Sequence, residues 1–404
     1  MPTLRSALVF AGLAAAYALA AVVYTAFPAG TGDADDFSTG LKAIGECTNE
    51  ANGTMCARPA VVALLETHSG EEITRAIDAQ FTPQQCHYMG HVVGQESYNK
   101  LGDVEAAIEQ CGRDCDSACI HGVIGEAFAE ELGLGSSEEA QDVDLAHLDP
   151  DQMKVIGIRL CASPTACHGV GHALFQIYGR FEPALAMCRE VTSDGWKPNF
   201  CYQGAFMEYA DILSSRNARP IDGIGYPTLN ELVQLCDLPT MTEVRACFRY
   251  FPRMVVQTLK HEGVSLEDGK RRLLEICLAY LPEKRHACIA GFGVYSAYNI
   301  LTDTAEAVRI CHQFDSVADQ AACSLGITSV ATEERQGRIM AYCMAIPDTV
   351  LQEYCFHDVF YYLNRLRVPR AASRRLCNGL PACEAQADRY AVDAWDEGLA
   401  RYMR

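Results

Sequence analysis

Eleven histidines occur in the chain, and four of them form two His-x-x-x-His pairs: His87 with His91, and His168 with His172. On a helix, residues four apart share one face, so each pair can turn two imidazoles toward one cation. The phrases carrying the pairs match. Cys86-His-Tyr-Met-Gly-His91 and Cys167-His-Gly-Val-Gly-His172 start 81 residues apart (167 − 86). A second matched couple, Cys119-Ile-His-Gly-Val-Ile-Gly-Glu126 and Cys201-Tyr-Gln-Gly-Ala-Phe-Met-Glu208, starts 82 apart (201 − 119) and contributes His121 between the two pairs. Imidazole with carboxylate suits zinc, copper or iron, and nickel as well. The expected metal residues are His87, His91, His121, His168 and His172, with Glu126 and Glu208 supporting them or completing the coordination. Glu96 and Gln203 are further candidates in the repeat.

Two other readings use the same residues. Histidines near a helix start also donate to carbonyls or pack on aromatic rings, and a duplication copies a structural histidine as readily as a ligand. The chain is then a non-catalytic scaffold that offers its surface to a protein partner. Alternatively, facing histidine pairs hold haem non-covalently. Covalent c-type haem is excluded, because no Cys-x-x-Cys occurs, and zinc-ribbon and thioredoxin-type motifs fall with it. His-Glu-x-x-His is absent, and the one Glu-x-x-His, Glu283 to His286, has no partner motif for a di-iron bundle. There is no Gly-x-Ser-x-Gly, Walker loop or dinucleotide fingerprint. The sequence therefore names no catalytic residue.

The elements that must hold the histidines are written in the cysteines. There are twenty, an even count at regular spacings, which implies an oxidising compartment. Successive gaps suggest Cys188 with Cys201, Cys236 with Cys247, Cys277 with Cys288, Cys311 with Cys323, and Cys343 with Cys355. Shorter gaps suggest Cys47 with Cys56, Cys111 with Cys119, Cys161 with Cys167, and Cys377 with Cys383, leaving Cys86 and Cys115 to pair by elimination. Each gap is turn-like or polar, and the second cysteine often opens an apolar run, as in Cys288-Ile-Ala-Gly-Phe-Gly. The unit is helix, short loop, helix, with a disulfide joining the end of one to the start of the next. A loop of about 12 residues closed in this way contributes roughly 3 kcal/mol in the chain-entropy model. Glycine three or four residues after a cysteine recurs at Gly90, Gly122, Gly171, Gly204, Gly291 and Gly326. Glycine costs up to about 1 kcal/mol in a helix, so its recurrence points to helices too close for a Cβ.

Spacings of 32 to 48 residues between second cysteines fit αα hairpins stacked as a repeat. Ala322-Cys323-Ser-Leu-Gly326 resembles the cysteine-leucine-glycine signature of cysteine-rich Sel1-like repeats. That resemblance covers residues 100–380 and implies stacked, disulfide-bridged hairpins. The expected fold is all-α: a disulfide-stapled αα-hairpin repeat solenoid behind a single N-terminal transmembrane or signal-anchor helix. Its parts are residues 1–36 (anchor or signal peptide and linker), 37–80 (a cap), 81–225 (the histidine-bearing units) and 226–404 (degenerate repeats and a C-terminal cap). Residues 131–152 and 214–227 read as surface loops.

Residues 6–27 run for 22 positions without a charge, preceded by Arg5 and followed by Asp33, Asp35 and Asp36. That is long enough to span a bilayer, with the N-terminus cytoplasmic and the rest facing the periplasm or extracellular space; a cleaved signal peptide would export the same residues. The net charge of −19 excludes a nucleic-acid partner. Arginines from Arg365 to Arg404 give the C-terminal end the opposite sign, which reads as a solvated helix face.

Overall fold

The computed structural model describes residues 34–48, 53–135, 148–192, 197–214, 226–300, 303–330, 336–365, 375–377 and 379–388. Among them are nineteen α-helices and no strand, so the all-α expectation holds. Three helices come first: α1 (Ala34–Cys47), α2 (Gly53–Leu65) and α3 (Gly70–Gln80). Eight longer helices then alternate with shorter ones: α4 (Pro83–Leu101), α5 (Val104–Gln110), α6 (Asp114–Glu131), α7 (Pro150–Leu160), α8 (Pro164–Tyr178), α9 (Phe181–Val191), α10 (Lys197–Ser214), α11 (Leu229–Leu235), α12 (Met241–His261), α13 (Leu266–Ala279), α14 (Pro282–Ile300), α15 (Thr304–His312), α16 (Val317–Thr328), α17 (Gln336–Ala345) and α18 (Thr349–Arg365). A final helix, α19 (Pro381–Asp388), packs on α18. The apolar run 6–27, most of loops 131–152 and 214–227, and most of the C-terminal arginines lie outside the described residues. No helix among the described residues is long and apolar enough to cross a membrane.

Local sequence fixes where the histidine-bearing helices begin. Thr82 caps α4 and Ser163 caps α8, their hydroxyls accepting from the backbone N–H of Gln85 and Ala166, and a proline follows each cap. A side-chain acceptor satisfies an amide that the first turn leaves unpaired, and proline at the first helical position lacks the N–H that would go unused. The two caps are 81 residues apart (163 − 82), so the duplication reaches into them. Helix α12 starts on a reciprocal box between Thr240 and Glu243, and the buried Glu243 also pairs with Arg189 of α9 at 2.9 Å.

Each long helix packs on the next, from α4 through α6, α8, α10, α12, α14 and α16 to α18, while each shorter helix lies against the long one after it. All ten expected cysteine pairs are bonded and none is left free. From α5 onward the disulfides tie each short helix to the long helix after it; Cys86–Cys115 alone joins two long helices, α4 and α6, and the other long-helix contacts are made by packing. One apolar cluster of buried residues runs from Tyr98 to Ala387; a second, from Leu41 to Cys119, joins α1 to α4 and the start of α6.

The long helices approach most closely at glycines, and at three of the crossings the contacts are reciprocal. A Cβ on Gly94 would lie 1.9 Å from the Cys119 carbonyl oxygen, and one on Gly122 would lie 2.1 Å from that of His91. Gly171 and Gly204 face the Cys201 and His168 carbonyls at 2.0 and 1.9 Å, and Gly293 and Gly326 face those of Cys323 and Ala290 at 2.1 and 1.9 Å. The pairs α4–α6, α8–α10 and α14–α16 thus cross backbone to backbone. His91 and His172 are equivalent in the duplication, as are His87 and His168; α6 therefore crosses α4 at His91, one turn beyond the matching α8–α10 crossing at His168.

Gly293→Ala is expected to cost about 3 kcal/mol or more, because backbone must move to admit the methyl. Gly269→Ala in α13, whose nearest neighbour would be Leu259 at 3.9 Å, is expected to stabilise by roughly 0.5–1 kcal/mol, the helix preference of alanine. Urea midpoints of the two variants check both signs.

Candidate metal centre

The row curls tightly enough that α4 meets α10: the Tyr88 hydroxyl donates to the Asp211 carbonyl. Helices α4, α6, α8 and α10 thereby surround one interior, and all five expected histidines lie in it. Ring centroids of His87 and His91 are 4.7 Å apart, His91 and His172 5.1 Å, His121 and His172 5.2 Å, and His87 and His172 6.0 Å. His168 stacks on His121 at 4.7 Å. His87, His121, His168 and His172 are buried and His91 is half-buried. The two pairs meet in one cluster, with α6 between them. A haem between the pairs would need a gap wider than rings in mutual contact leave.

Four of the five form a compact donor set. His87, His91, His121 and His172 each offer one nitrogen, and these atoms lie within 4.8 Å of one another. Nε2 of His91 is 3.1 Å from Nε2 of His87, near the roughly 3.3 Å expected of two nitrogens on one tetrahedral zinc with bonds of about 2.0–2.1 Å. Nδ1 of His121 and Nε2 of His172 are buried with no hydrogen-bond partner. Leaving a buried polar atom unsatisfied costs about 1–3 kcal/mol, and a cation between the rings removes that cost at both.

The remaining nitrogens orient the rings. Nδ1 of His87 is 3.0 Å from the Cys115 carbonyl, and Nδ1 of His172 is 2.7 Å from Oε2 of Glu208, whose Oε1 accepts from Gln176 at 3.1 Å. Donation through Nδ1 assigns the tautomer that leaves Nε2 as a lone pair facing inward. Asp211 brings a carboxylate oxygen to 3.7 Å from Nε2 of His87 and is paired with the Arg253 guanidinium. Cys115, Asp116 and Ser117 are left-handed, with φ of 57°, 57° and 61°, a conformation that costs a non-glycine residue roughly 1–2 kcal/mol. The Cys86–Cys115 disulfide anchors that turn to α4, beside the residue it orients.

The other expected site residues divide. Glu208 supports His172. His168 lies outside the four-nitrogen set, its Nε2 facing Met207 Sδ at 3.3 Å. Glu126 is buried and also outside the set; five residues beyond His121, it is turned roughly 140° round the helix. Glu96 is paired with Arg58 at 2.8 Å, and Gln203 lines a separate cavity. Asp211, Met207, Gln176 and Tyr88 were not expected at the site. Asp211 did carry a signal, since it stands three residues after Glu208, on the same face of α10.

Burial pushes the imidazole of His87 below its ordinary value of 6.5, although Asp211 pulls the other way. Burial pushes those of His91, His121 and His168 well below it, and neighbouring histidines add to the effect. In the folded chain these rings stay neutral, whereas the unfolded chain takes up their protons as pH falls through about 6.5. Their contribution to stability is therefore complete above that pH and is lost progressively below it. Denaturation midpoints of metal-free protein are expected to fall steadily from pH 7 to pH 5; a flat profile would contradict neutral, buried histidines.

No family model, no curated protein and no solved structure matches the chain. The Sel1-like likeness accordingly rests on the quoted residues alone, and the site is read from its own chemistry.

Proposed function

We propose that this is an exported helical repeat protein that binds one transition metal ion through His87, His91, His121 and His172. The observation that carries the reading is the pair of partnerless buried nitrogens, His121 Nδ1 and His172 Nε2, turned into a cluster with two further imidazoles. Neutral imidazoles with every cysteine in a disulfide favour zinc, copper or iron over a thiolate-seeking ion. Glu208 and the Cys115 carbonyl fix His172 and His87, and Asp211 offsets part of the cation's charge. The role is metal handling or a metal-dependent oxidative step. On the same reading the hairpins stack as a solenoid, residues 6–27 anchor or export the chain, and the folded part faces an oxidising compartment, a reading that ten disulfides support.

The test is elemental analysis with a visible spectrum on the oxidised full chain purified without added metal, beside His121→Ala and His172→Ala. One metal per chain, lost in both variants, is expected. A Soret band would reassign the site to haem. A wild-type protein that carries no metal, and takes up neither zinc, copper nor iron at equimolar supply, would overturn the reading and leave the histidines structural in an interaction scaffold.

A further inference from the structure

Cys86–Cys115 is built unlike the other nine disulfides. It closes 29 residues, whereas the others close 6 to 13. The duplication does not repeat it. Cys167, the counterpart of Cys86, bonds to Cys161, six residues away. The position matching Cys161 in the first unit is Gln80 (161 − 81), and the position matching Cys115 in the second is Lys197 (115 + 82). The first unit thus has a bond across helices where the second has a local staple. The backbone differs as well. Cys115 is the one cysteine among the described residues with a positive φ, and Asp116 and Ser117 share that conformation. Residues with a side chain are strained there, so this bond ends in a turn that gains by letting go. Asp78, an exposed residue of α3, places Oδ1 3.3 Å from Sγ of Cys86.

We propose that Cys86–Cys115 is a redox-active pair, opened by an external dithiol while the other nine bonds persist, and that its opening loosens the metal. The second clause rests on the metal reading; the first stands without it. Access comes as the strained turn opens locally, short of unfolding the chain. A thiolate of the reductant attacks Sγ of Cys115, which is 4% exposed where Cys86 is fully covered. The S–S bond breaks, and Cys86 leaves as a thiolate that takes its proton from solvent by way of Asp78. The second thiol of the reductant then attacks its own sulfur in the mixed disulfide, and its proton passes to the departing Cys115. Two electrons have moved to the pair, and the reductant has become a disulfide. The metal feels the change through His87. That residue follows Cys86, and its Nδ1 is 3.0 Å from the Cys115 carbonyl. Once the turn relaxes, the carbonyl moves off and the tautomer that presents Nε2 to the cation loses its support. Linkage is reciprocal, so a bound cation that holds His87 in place favours the closed bond.

The experiment equilibrates the oxidised, metal-free full chain with dithiothreitol at graded ratios of reduced to oxidised reagent. Iodoacetamide then traps the free thiols, and peptide mass spectrometry reads every cysteine pair separately. Cys86 and Cys115 are expected to label first, at a ratio roughly tenfold or more below that of the other nine pairs, which serve as internal controls. Glycine takes positive φ freely, so Ser117→Gly relieves the closed turn, and its pair should open at a higher ratio than in wild type. Protein trapped with only this pair open, and freed of reductant, is next titrated with zinc. Its affinity should be roughly tenfold or more below that of the oxidised chain, and Cys86→Ser with Cys115→Ser should show the same loss without the alkyl groups. A chain that binds no zinc in either form removes the metal reading and the coupling with it, and labelling order alone then decides the redox-active pair. Labelling of Cys86 and Cys115 together with the other cysteines or after them, or zinc binding as tight in the trapped protein as in the oxidised one, would overturn the proposal.

Discussion

Zinc is expected to raise the melting temperature of the wild-type protein and to leave that of His121→Phe unchanged, while without metal the variant is the more stable of the two. The reversal follows from one buried atom. Nδ1 of His121 has no hydrogen-bond partner, and removing such an atom while keeping a flat ring recovers about 1 kcal/mol. Phenylalanine also preserves the stacking of ring 121 between His168 and His172, whose centroids lie 4.7 and 5.2 Å away. The same substitution deletes one of four donor nitrogens. A ligand present at a thousand times its dissociation constant stabilises by about 4 kcal/mol, so the wild type overtakes the variant once zinc is added. Paired melts with chelator and with zinc read both signs. A histidine kept for packing alone gives no crossover: the variant then stays level or worse in both conditions, and the metal reading fails.

Reduction is expected to have the larger effect. A single staple, tested as the double change Cys277→Ser and Cys288→Ser, should cost about 2–4 kcal/mol, the usual worth of a disulfide. With ten of them reduced, the loss exceeds the roughly 5–15 kcal/mol that a folded domain holds in reserve, and the cooperative melt should disappear. The helical circular-dichroism signal should fall with it, since the shorter helices, seven residues in α5 and in α11, are too brief to persist in water alone. Breaking Cys86–Cys115 alone should lower zinc affinity as well, because that bond anchors the left-handed turn whose carbonyl sets His87. An unchanged melt in strong reductant would show that packing suffices and the disulfides are incidental.

What the sequence reveals here, and what it hides, follows from distance along the chain. Every cysteine pairing was legible because 29 residues is the widest separation and the others sit within one hairpin. The close approach of helices was legible at Gly122, Gly171, Gly204, Gly291 and Gly326, each three or four residues past a cysteine; Gly94 and Gly293 break that spacing and were missed. The histidine types and their duplication were plain, but whether two pairs 81 residues apart face one interior depends on the curvature of the row, which no local pattern records. The same cause hid Asp211, Met207 and Gln176, which reach the histidines across helices. The turn at Cys115 to Ser117 left no trace, because it adopts positive φ without glycine.

The placement of the disulfides also decides what a protease can do to the molecule. Most of the bonds enclose the connection from a short helix into the long helix after it, as Cys188–Cys201 encloses residues 193–196. A cut inside such a loop severs no fragment: the nicked chain stays one covalent body and migrates whole until reductant is added. The return connections after α6 have no such bridge, whereas the one from α4 to α5 lies inside the Cys86–Cys115 loop, and a single cut within 136–147 or 215–225 divides the chain into separable pieces. Limited digestion run on paired reducing and non-reducing gels should therefore show fragments without reductant only from those unbridged segments.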